Sequence, residues 1–598
     1  MGSPPLPGHG RLRRALHPLA FLLAAHALVA LGYLLTVPPW EAPDEPAHLR
    51  RIASLACRLG LAVHDPEACR GEAILGDQGV VVLAPSGGCP ASAPPDADDP
   101  SPWSRAHLLS SYEAYQPPLG HLVYVPLFVL VGPRHPLLFP DPRYPAFAPG
   151  VFLHDLDATS PYTSTGTRLR LLRLTGILFG LLTVTGSWVA ATLLAPGRRD
   201  VAIAAAAFTA FLPQLTFATG TLGTDLPAAA AGGGVLVWIL RRVRASDPAP
   251  AGGDAIAAAL LIAAIGSRPN AIPLAAVGLL AFLIQVGQRR GRRALLLALA
   301  GGAGGIAAGA VLLRWALPSW WRTLAGQAAA RLSGGTAFSL AEAARRVGRS
   351  FVGEFGWLDV RLPAAATLAA GVLALALLLS LAAYLARARA ARLPILLAAF
   401  GVGCVTLLAV LNATATGQAQ GRYLFPLLAA ISGLVGVAAC APFPPRAGRS
   451  IAWGLATLLL AGNVAALLGV VRPAYTGRAS GLLTPLATTA GPLALLHGGA
   501  AAAGFEPGAR GEWLLASPAD AMLDLRVDLR RPAGIDRPTE SADALRFSAC
   551  GEPGPEGIRL ERGRLRGRLA PGATLTLRWH EPHPTDTPVA PPLLHLEN

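Results

Sequence analysis

Apolar residues collect in long blocks at 16–37, 169–195, 201–221, 226–240, 254–266, 270–287, 294–317, 363–386, 393–412, 422–441 and 450–471. A helix needs ~20 such residues to cross a ~30 Å hydrocarbon core, and most blocks approach that length. The pattern predicts an all-α polytopic membrane protein with about eleven transmembrane helices. Blocks 254–266 and 270–287 are short, and Gly266-Ser267-Arg268-Pro269-Asn270 lies between them. That junction reads either as a broken helix around an arginine within the membrane or as a tight turn at its surface.

Two polar regions interrupt this pattern. The first, 38–168, is rich in Pro, Asp and Gly and includes the Asp/Pro-rich stretch 94–102, which reads as a loop. Within it, Leu119 to Val131 is apolar but too short to span, which predicts a membrane-surface or re-entrant helix. The second is the tail, 472–598. Its alternating runs Met522–Val527 and Ala573–Leu577 predict a small β-rich module from about residue 510. The expected division is therefore a membrane domain over 1–471 and a C-terminal region over 472–598. No internal repeat is evident.

Composition agrees with the pattern: 53% of the 598 residues are hydrophobic and 14% charged, with a mean hydropathy of +0.46. The formal charge of +15 does not imply nucleic acid, because the basic residues sit in short clusters between apolar blocks. The clusters are Arg11–Arg14, Arg198–Arg199, Arg241–Arg244, Arg289–Arg293, Arg387–Arg392 and Arg446–Arg449. Placing all six in the cytoplasm puts the N-terminus inside, the C-terminus outside and both polar regions on the outer face. The chain contains no lysine, so a phosphate must be met by Arg or His; the Ala/Gly/Arg-rich composition suggests a high-GC bacterial source. Residues 16–37 lack a small-residue cleavage site and read as a spanning helix, not a signal peptide. Cys404 and Cys440 lie in apolar blocks, whereas Cys57, Cys69, Cys89 and Cys550 lie in polar ones, where a Cys69–Cys89 disulfide is one reading and two free thiols the other.

Candidate chemistry gathers at the outer ends of the blocks. Pro38-Pro39-Trp40-Glu41-Ala42-Pro43-Asp44-Glu45-Pro46-Ala47-His48 holds three carboxylates among four prolines beside the first helix. Asp44 also suits the N-cap of an amphipathic helix that follows, with Leu49, Ile52, Ala53, Ala56 and Leu59 on one face. Gln116 precedes a Pro-Pro pair, and Asp225 ends a Thr-Leu-Gly-Thr-Asp turn. Arg422 and Tyr423 enter a block from outside, and Arg422 suits snorkelling as well as chemistry. Arg268 and Arg422 at similar depth suit the phosphate of a lipid-linked substrate, because guanidinium offers a rigid fork of donors. Trp320, Trp321 and the Phe351–Leu358 aromatics suit an interfacial belt or a sugar-stacking surface.

Taken in order, Pro-Pro-x-Glu-x-Pro-Asp-Glu-Pro-Ala-His at 38–48, Tyr-Gln-Pro-Pro-Leu at 115–119, Phe-x-Gly-x-Phe-Gly-Trp-Leu at 351–358 and Gly-Arg-Tyr-Leu-Phe-Pro at 421–426 carry a resemblance. The chain resembles, over residues 16–440, a bacterial family of membrane glycosyltransferases of undefined function within the GT-C superfamily, which uses polyprenyl-phosphate sugars. The resemblance implies a GT-C-like fold in the plasma membrane, a polyprenyl-phosphate-linked sugar donor and an extracytoplasmic acceptor. It implies Asp44 as general base, with Glu45 beside it. Gln116 stands where lipid A transferases carry a lysine that meets the lipid phosphate, and Arg268 is the best substitute for that charge. Asp225 takes the place of a further outer-face acid. With these, His48, Arg422 and Tyr423 complete the expected substrate-binding set. No metal or cofactor is required, although an Asp-Glu pair also suits a divalent cation. A polysaccharide polymerase or ligase, a glycan flippase and a non-catalytic envelope assembly protein are the competing readings.

Overall fold

The computed structural model describes residues 9–39, 41–61, 116–131, 164–244, 251–288, 338–389 and 392–479, isolated positions between 291 and 314, and strands between 494 and 596. Among these residues, eight helices are long and apolar enough to cross a membrane, or nine if one bent pair is a single span. The chain is thus a mostly helical, polytopic membrane protein. The expected span 294–317, Trp320-Trp321, Cys69, Cys89 and the stretch 94–102 lie largely or wholly outside the described residues.

Helix α1 (His9–Thr36) runs out at Pro38-Pro39, which cannot continue a helix. The amphipathic α2 (Glu45–Arg58) follows, with a proline in its first turn, and Cys57 near its end is disulfide-bonded. The expected surface segment is two short helices, α3 (Leu119–Leu122) and α4 (Val125–Val131). They pack with α2 around Leu49, Ile52, Tyr124, Val125, Phe128 and Leu222. Helix α5 (Ser164–Leu194) has 31 residues, about 46 Å at the α-helical rise, so its arginine-bearing first turns project beyond the hydrocarbon core.

The block 201–221 is not one straight helix. It divides into α6 (Arg199–Phe211) and α7 (Pro213–Thr219), bent by 60°. Pro213 supplies the reason, having no N–H to donate and no room for the carbonyl four residues back. At the bend the Ala210 carbonyl accepts His26 Nδ1 at 2.7 Å and Thr216 Oγ1 at 3.3 Å. Next come α8 (Asp225–Arg244) and α9 (Ala251–Ser267). A 3-10 turn (Pro269–Ala271) then leads into α10 (272–288). Arg268 is extended at this junction, the conformation that a residue before proline favours.

Helix α11 (Leu340–Gly353) runs into a small hairpin, β1 (Glu354–Phe355) paired with β2 (Val360–Arg361). Three long helices complete the bundle: α12 (Ala364–Arg387), α13 (Arg392–Thr416) and α15 (Pro445–Ala466). Between the last two come the 3-10 segment Gly421–Leu427 and α14 (Leu428–Cys440). A π-turn (Leu467–Val471) joins α15 to α16 (Arg472–Ala479).

Small residues let these helices approach one another, the usual device where lipid supplies no hydrophobic drive between helices. Ala202–Ala207 of α6 is buried throughout. Thr209 Oγ1 reaches Ser187 Oγ at 2.8 Å and Ser432 Oγ at 2.6 Å, tying α5, α6 and α14 together. At the far end of the bundle Arg198 donates to the Cys440, Ala441 and Phe443 carbonyls and to Asp200.

In the tail, β3 (Ala494–Gly498), β4 (Arg510–Ala516), β9 (Thr574–His580) and β6 (Arg546–Glu552) form one antiparallel sheet in the order β3-β4-β9-β6. A second antiparallel sheet has the order β10-β5-β8-β7, built from β5 (Ala521–Asp528), β7 (Arg559–Glu561), β8 (Arg564–Leu569) and β10 (Leu593–Leu596).

Candidate active site

Five segments meet at the end of the bundle where α1 terminates. The α1–α2 connection brings Asp44, the approach to α3 brings Gln116, and the first turn of α8 brings Asp225. The end of α9 brings Arg268, and the 3-10 segment before α14 brings Arg422. Two close approaches seat that last segment. A Cβ on Gly421 would stand 2.1 Å from the Phe351 amide nitrogen of α11, and one on Gly232 of α8 would stand 2.1 Å from the Pro426 carbonyl. Only glycine admits backbone that near. Ser350 Oγ accepts the Gly421 amide at 2.6 Å and fixes the register.

Asp44 stands at the N-cap position of α2, yet its side chain makes no capping bond. Its φ of 64° is left-handed, a region that Asp tolerates better than most residues. The carboxylate instead contacts the Arg422 guanidinium through Nη2. Arg422 Nη1 lies 3.4 Å from Asp225 Oδ2. Arg268 completes the cluster, with Nε 3.0 Å from Asp225 Oδ1, Nη2 3.3 Å from Oδ2, and Nη1 donating to Gln116 Oε1 at 2.8 Å. Side-chain exposure is 16% for Asp44, 9% for Arg422 and 6% each for Arg268 and Asp225, so Asp44 is the most accessible of the four.

Glu45 does something else. Both its oxygens bond Arg173 of α5, Oε1 to Nε at 2.8 Å and Oε2 to Nη2 at 2.6 Å, and both side chains are fully buried. Glu45 Oε1 also accepts the Leu222 amide at 3.0 Å, while Arg173 donates to the Val37 and Pro38 carbonyls at 2.8 and 2.9 Å. This clamp fastens the end of α1 to the start of α2 and so sets the loop that carries Asp44. The expectation of Glu45 beside Asp44 in catalysis therefore meets a geometry in which its carboxylate is a structural tie. Nor does the Asp44-Glu45 pair resemble a cation site, because each carboxylate faces a guanidinium. Among the described residues no three His, Cys, Asp or Glu side chains gather as a metal site.

His48 of α2 pairs with His121 of α3, Nδ1 to Nε2 at 3.0 Å, and both rings are buried. Burial holds both imidazoles well below the usual His range. The charges of Arg268 and Arg422 add to this for His48, and the neighbouring His48, Arg51 and Arg268 add to it for His121. Two neutral rings share one hydrogen bond, either ring being able to donate. Tyr423 Oη donates to Gln418 Oε1 at 3.1 Å, beside the carboxylate cluster rather than within it. Glu41 is buried.

Arg173 and His121 escaped the sequence reading. The available signals were an arginine several residues into an apolar helix, which needs a buried partner, and a histidine inside an otherwise apolar stretch. Neither signal names the partner.

A family model described as "Predicted membrane protein (DUF2142)" matches residues 163–431, a stretch that contains Asp225, Arg268 and Arg422 but not Asp44 or Gln116. No curated protein matches the chain. Two solved structures of ArnT from Cupriavidus metallidurans are similar. The apo structure is 15% identical with a TM-score of 0.35, and the structure bound to undecaprenyl phosphate is 14% identical with a TM-score of 0.39. Each comparison covers 77% of this chain and 74% of the other.

Proposed function

We propose that this protein is a GT-C-type glycosyltransferase. It moves a sugar from a polyprenyl-phosphate donor to an acceptor on the outer face of a bacterial plasma membrane. The observation that carries the reading is the convergence of Asp44, Arg268 and Arg422 on one cluster, from segments up to 378 residues apart. The motif resemblance over 38–48, 115–119, 351–358 and 421–426 points the same way. The charge pattern of the loops orients this end of the bundle outward, which puts the N-terminus in the cytoplasm.

In this reaction the acceptor hydroxyl oxygen attacks the anomeric carbon of the donor. Asp44 takes the hydroxyl proton, the bond from that carbon to the phosphate oxygen breaks, and its electron pair leaves with the phosphate. The carbon inverts in a single displacement. Arg268 and Arg422 hold the phosphate and stabilise the charge it gains. Gln116 aligns Arg268, and the His48–His121 pair forms the wall behind the cluster. The lipid arm of the donor lies in the bilayer beside the bundle.

The test is native mass spectrometry of the detergent-purified full chain, followed by a transfer assay with the lipid it retains. A bound polyprenyl-phosphate species is expected, depleted in Arg268→Gln and Arg422→Gln. Retention of no such lipid, and no uptake of added undecaprenyl phosphate, would refute the donor assignment.

A further inference from the structure

The two carboxylates of the cluster are held differently. Asp225 lies in the first turn of a transmembrane helix and faces a guanidinium with both oxygens, Oδ1 toward Arg268 and Oδ2 toward Arg268 and Arg422. Asp44 lies on a connection rather than in a helix, reaches Arg422 through Oδ2, and is more than twice as exposed, at 16% against 6%. All three Arg422 nitrogens meanwhile face a partner: Nε donates to Gln420, Nη1 to Asp225 and Nη2 to Asp44. A phosphate oxygen that approaches Arg422 from its more exposed side meets Asp44 at Nη2. Of the two carboxylates on Arg422, Asp44 is the more exposed.

We propose that Asp44 and the donor phosphate are alternative ligands of the same Arg422 edge, and that Asp225 is a positioning residue that keeps both guanidinium groups aimed while they exchange. This rests on the polyprenyl-phosphate reading above. A carboxylate paired with a guanidinium is a weak proton acceptor, whereas one that faces a phosphate is a stronger one. Phosphate arrival therefore both displaces the base and activates it. The order of events is donor first, proton transfer second. In the empty site the base stays latched, so it does not activate water against a donor that is not yet seated. During transfer the acceptor proton passes to Asp44, and the leaving phosphate keeps the electron pair of the broken bond on the oxygen held by Arg422. Departure of the lipid phosphate lets Asp44 close again.

The experiment titrates undecaprenyl phosphate, as the probe, into the purified full-length protein and its variants. Asp44→Asn removes the competing charge but keeps the side-chain shape, and Asn adopts the left-handed backbone at least as well as Asp. It is expected to bind the probe more tightly, by about tenfold or more, the scale of one charge-assisted bond. Asp44→Gly is expected to tighten binding too, which separates loss of charge from loss of shape. Asp225→Asn is expected to weaken binding, with Asp225→Glu restoring part of the loss. A gain of affinity is not something that a damaged fold produces. Unchanged or weaker binding in both Asp44 variants, with wild type binding normally, would overturn the exchange and leave the donor reading standing. Undiminished binding in Asp225→Asn would overturn its positioning role. Failure of the wild type to bind the probe would remove the donor reading and this inference with it.

Discussion

Asp44 and Glu45 are neighbours of the same charge, and each faces an arginine, yet they have opposite parts. Glu45 and Arg173 form a closed unit in which both carboxylate oxygens and all three guanidinium nitrogens are bonded and neither side chain meets solvent. Asp44, Arg422, Asp225 and Arg268 form an open one, in which two guanidinium groups share Asp225 and the outermost carboxylate is partly exposed. A buried pair satisfied on every edge fixes a backbone and has nothing left to offer a substrate. A pair that shares its partners can trade one of them for a ligand. One residue of displacement along a left-handed turn separates the closed pair from the open cluster.

The sharpest way to break this comparison is to neutralise each carboxylate in turn. Asp44→Asn is expected to reduce sugar transfer by roughly 10²–10⁴-fold, the usual contribution of a general base, with the melting temperature nearly unchanged. A transfer rate within a few-fold of wild type would remove Asp44 from the reaction. Glu45→Ala or Arg173→Ala leaves an uncompensated buried charge and is expected to destabilise by about 3–5 kcal/mol, seen as a large drop in melting temperature or recovered protein. Arg173→Met combined with Glu45→Leu is expected to recover much of that loss, since an apolar pair often replaces a buried ion pair with little change. If the single variants melt like wild type, the clamp does not set the loop.

Smaller effects refine the picture. Gly421→Ala sets a methyl group 2.1 Å from the Phe351 amide nitrogen, so Arg422 must shift. The expected destabilisation is about 1–3 kcal/mol, with a larger loss of phosphate binding than of fold, compared by thermal melting and probe titration. The histidine pair gives the most gradual effect. Both folded imidazoles titrate below the ordinary value of 6.5, so the unfolded chain binds more protons in acid. Stability is therefore full above that value and declines as pH falls from 6.5 toward the lowered folded values. His121→Asn is expected to flatten part of that decline in a melting series across pH 7 to 5.

Much of the scaffold was legible along the chain. Block lengths anticipated most of the helices, because hydrocarbon thickness sets a minimum length that shows in any window of sequence. The extended backbone of Arg268 follows from the proline after it. The 60° break between α6 and α7 was equally open to reading, since Pro213 stands in the middle of an apolar block, yet hydropathy alone smooths over it. Motif order drew attention to Asp44 and Arg422, and the junction between two short apolar blocks to Arg268; the fold brings these three together.

The sequence by itself determined where the helices run, which residue types stand at their ends, and that Asp44 could cap α2. Tertiary structure decided that it does not. The partner of Asp44 lies 378 residues away and that of Glu45 lies 128 away, and no local periodicity reports on either distance. Which carboxylate meets which arginine depends on a left-handed φ at one residue and on how far α5 projects past the membrane. It depends also on two glycines that let the 3-10 segment reach α8 and α11. Local propensity reports on burial, which each helix settles almost alone. Charge pairing is settled only when several helices have taken their register together.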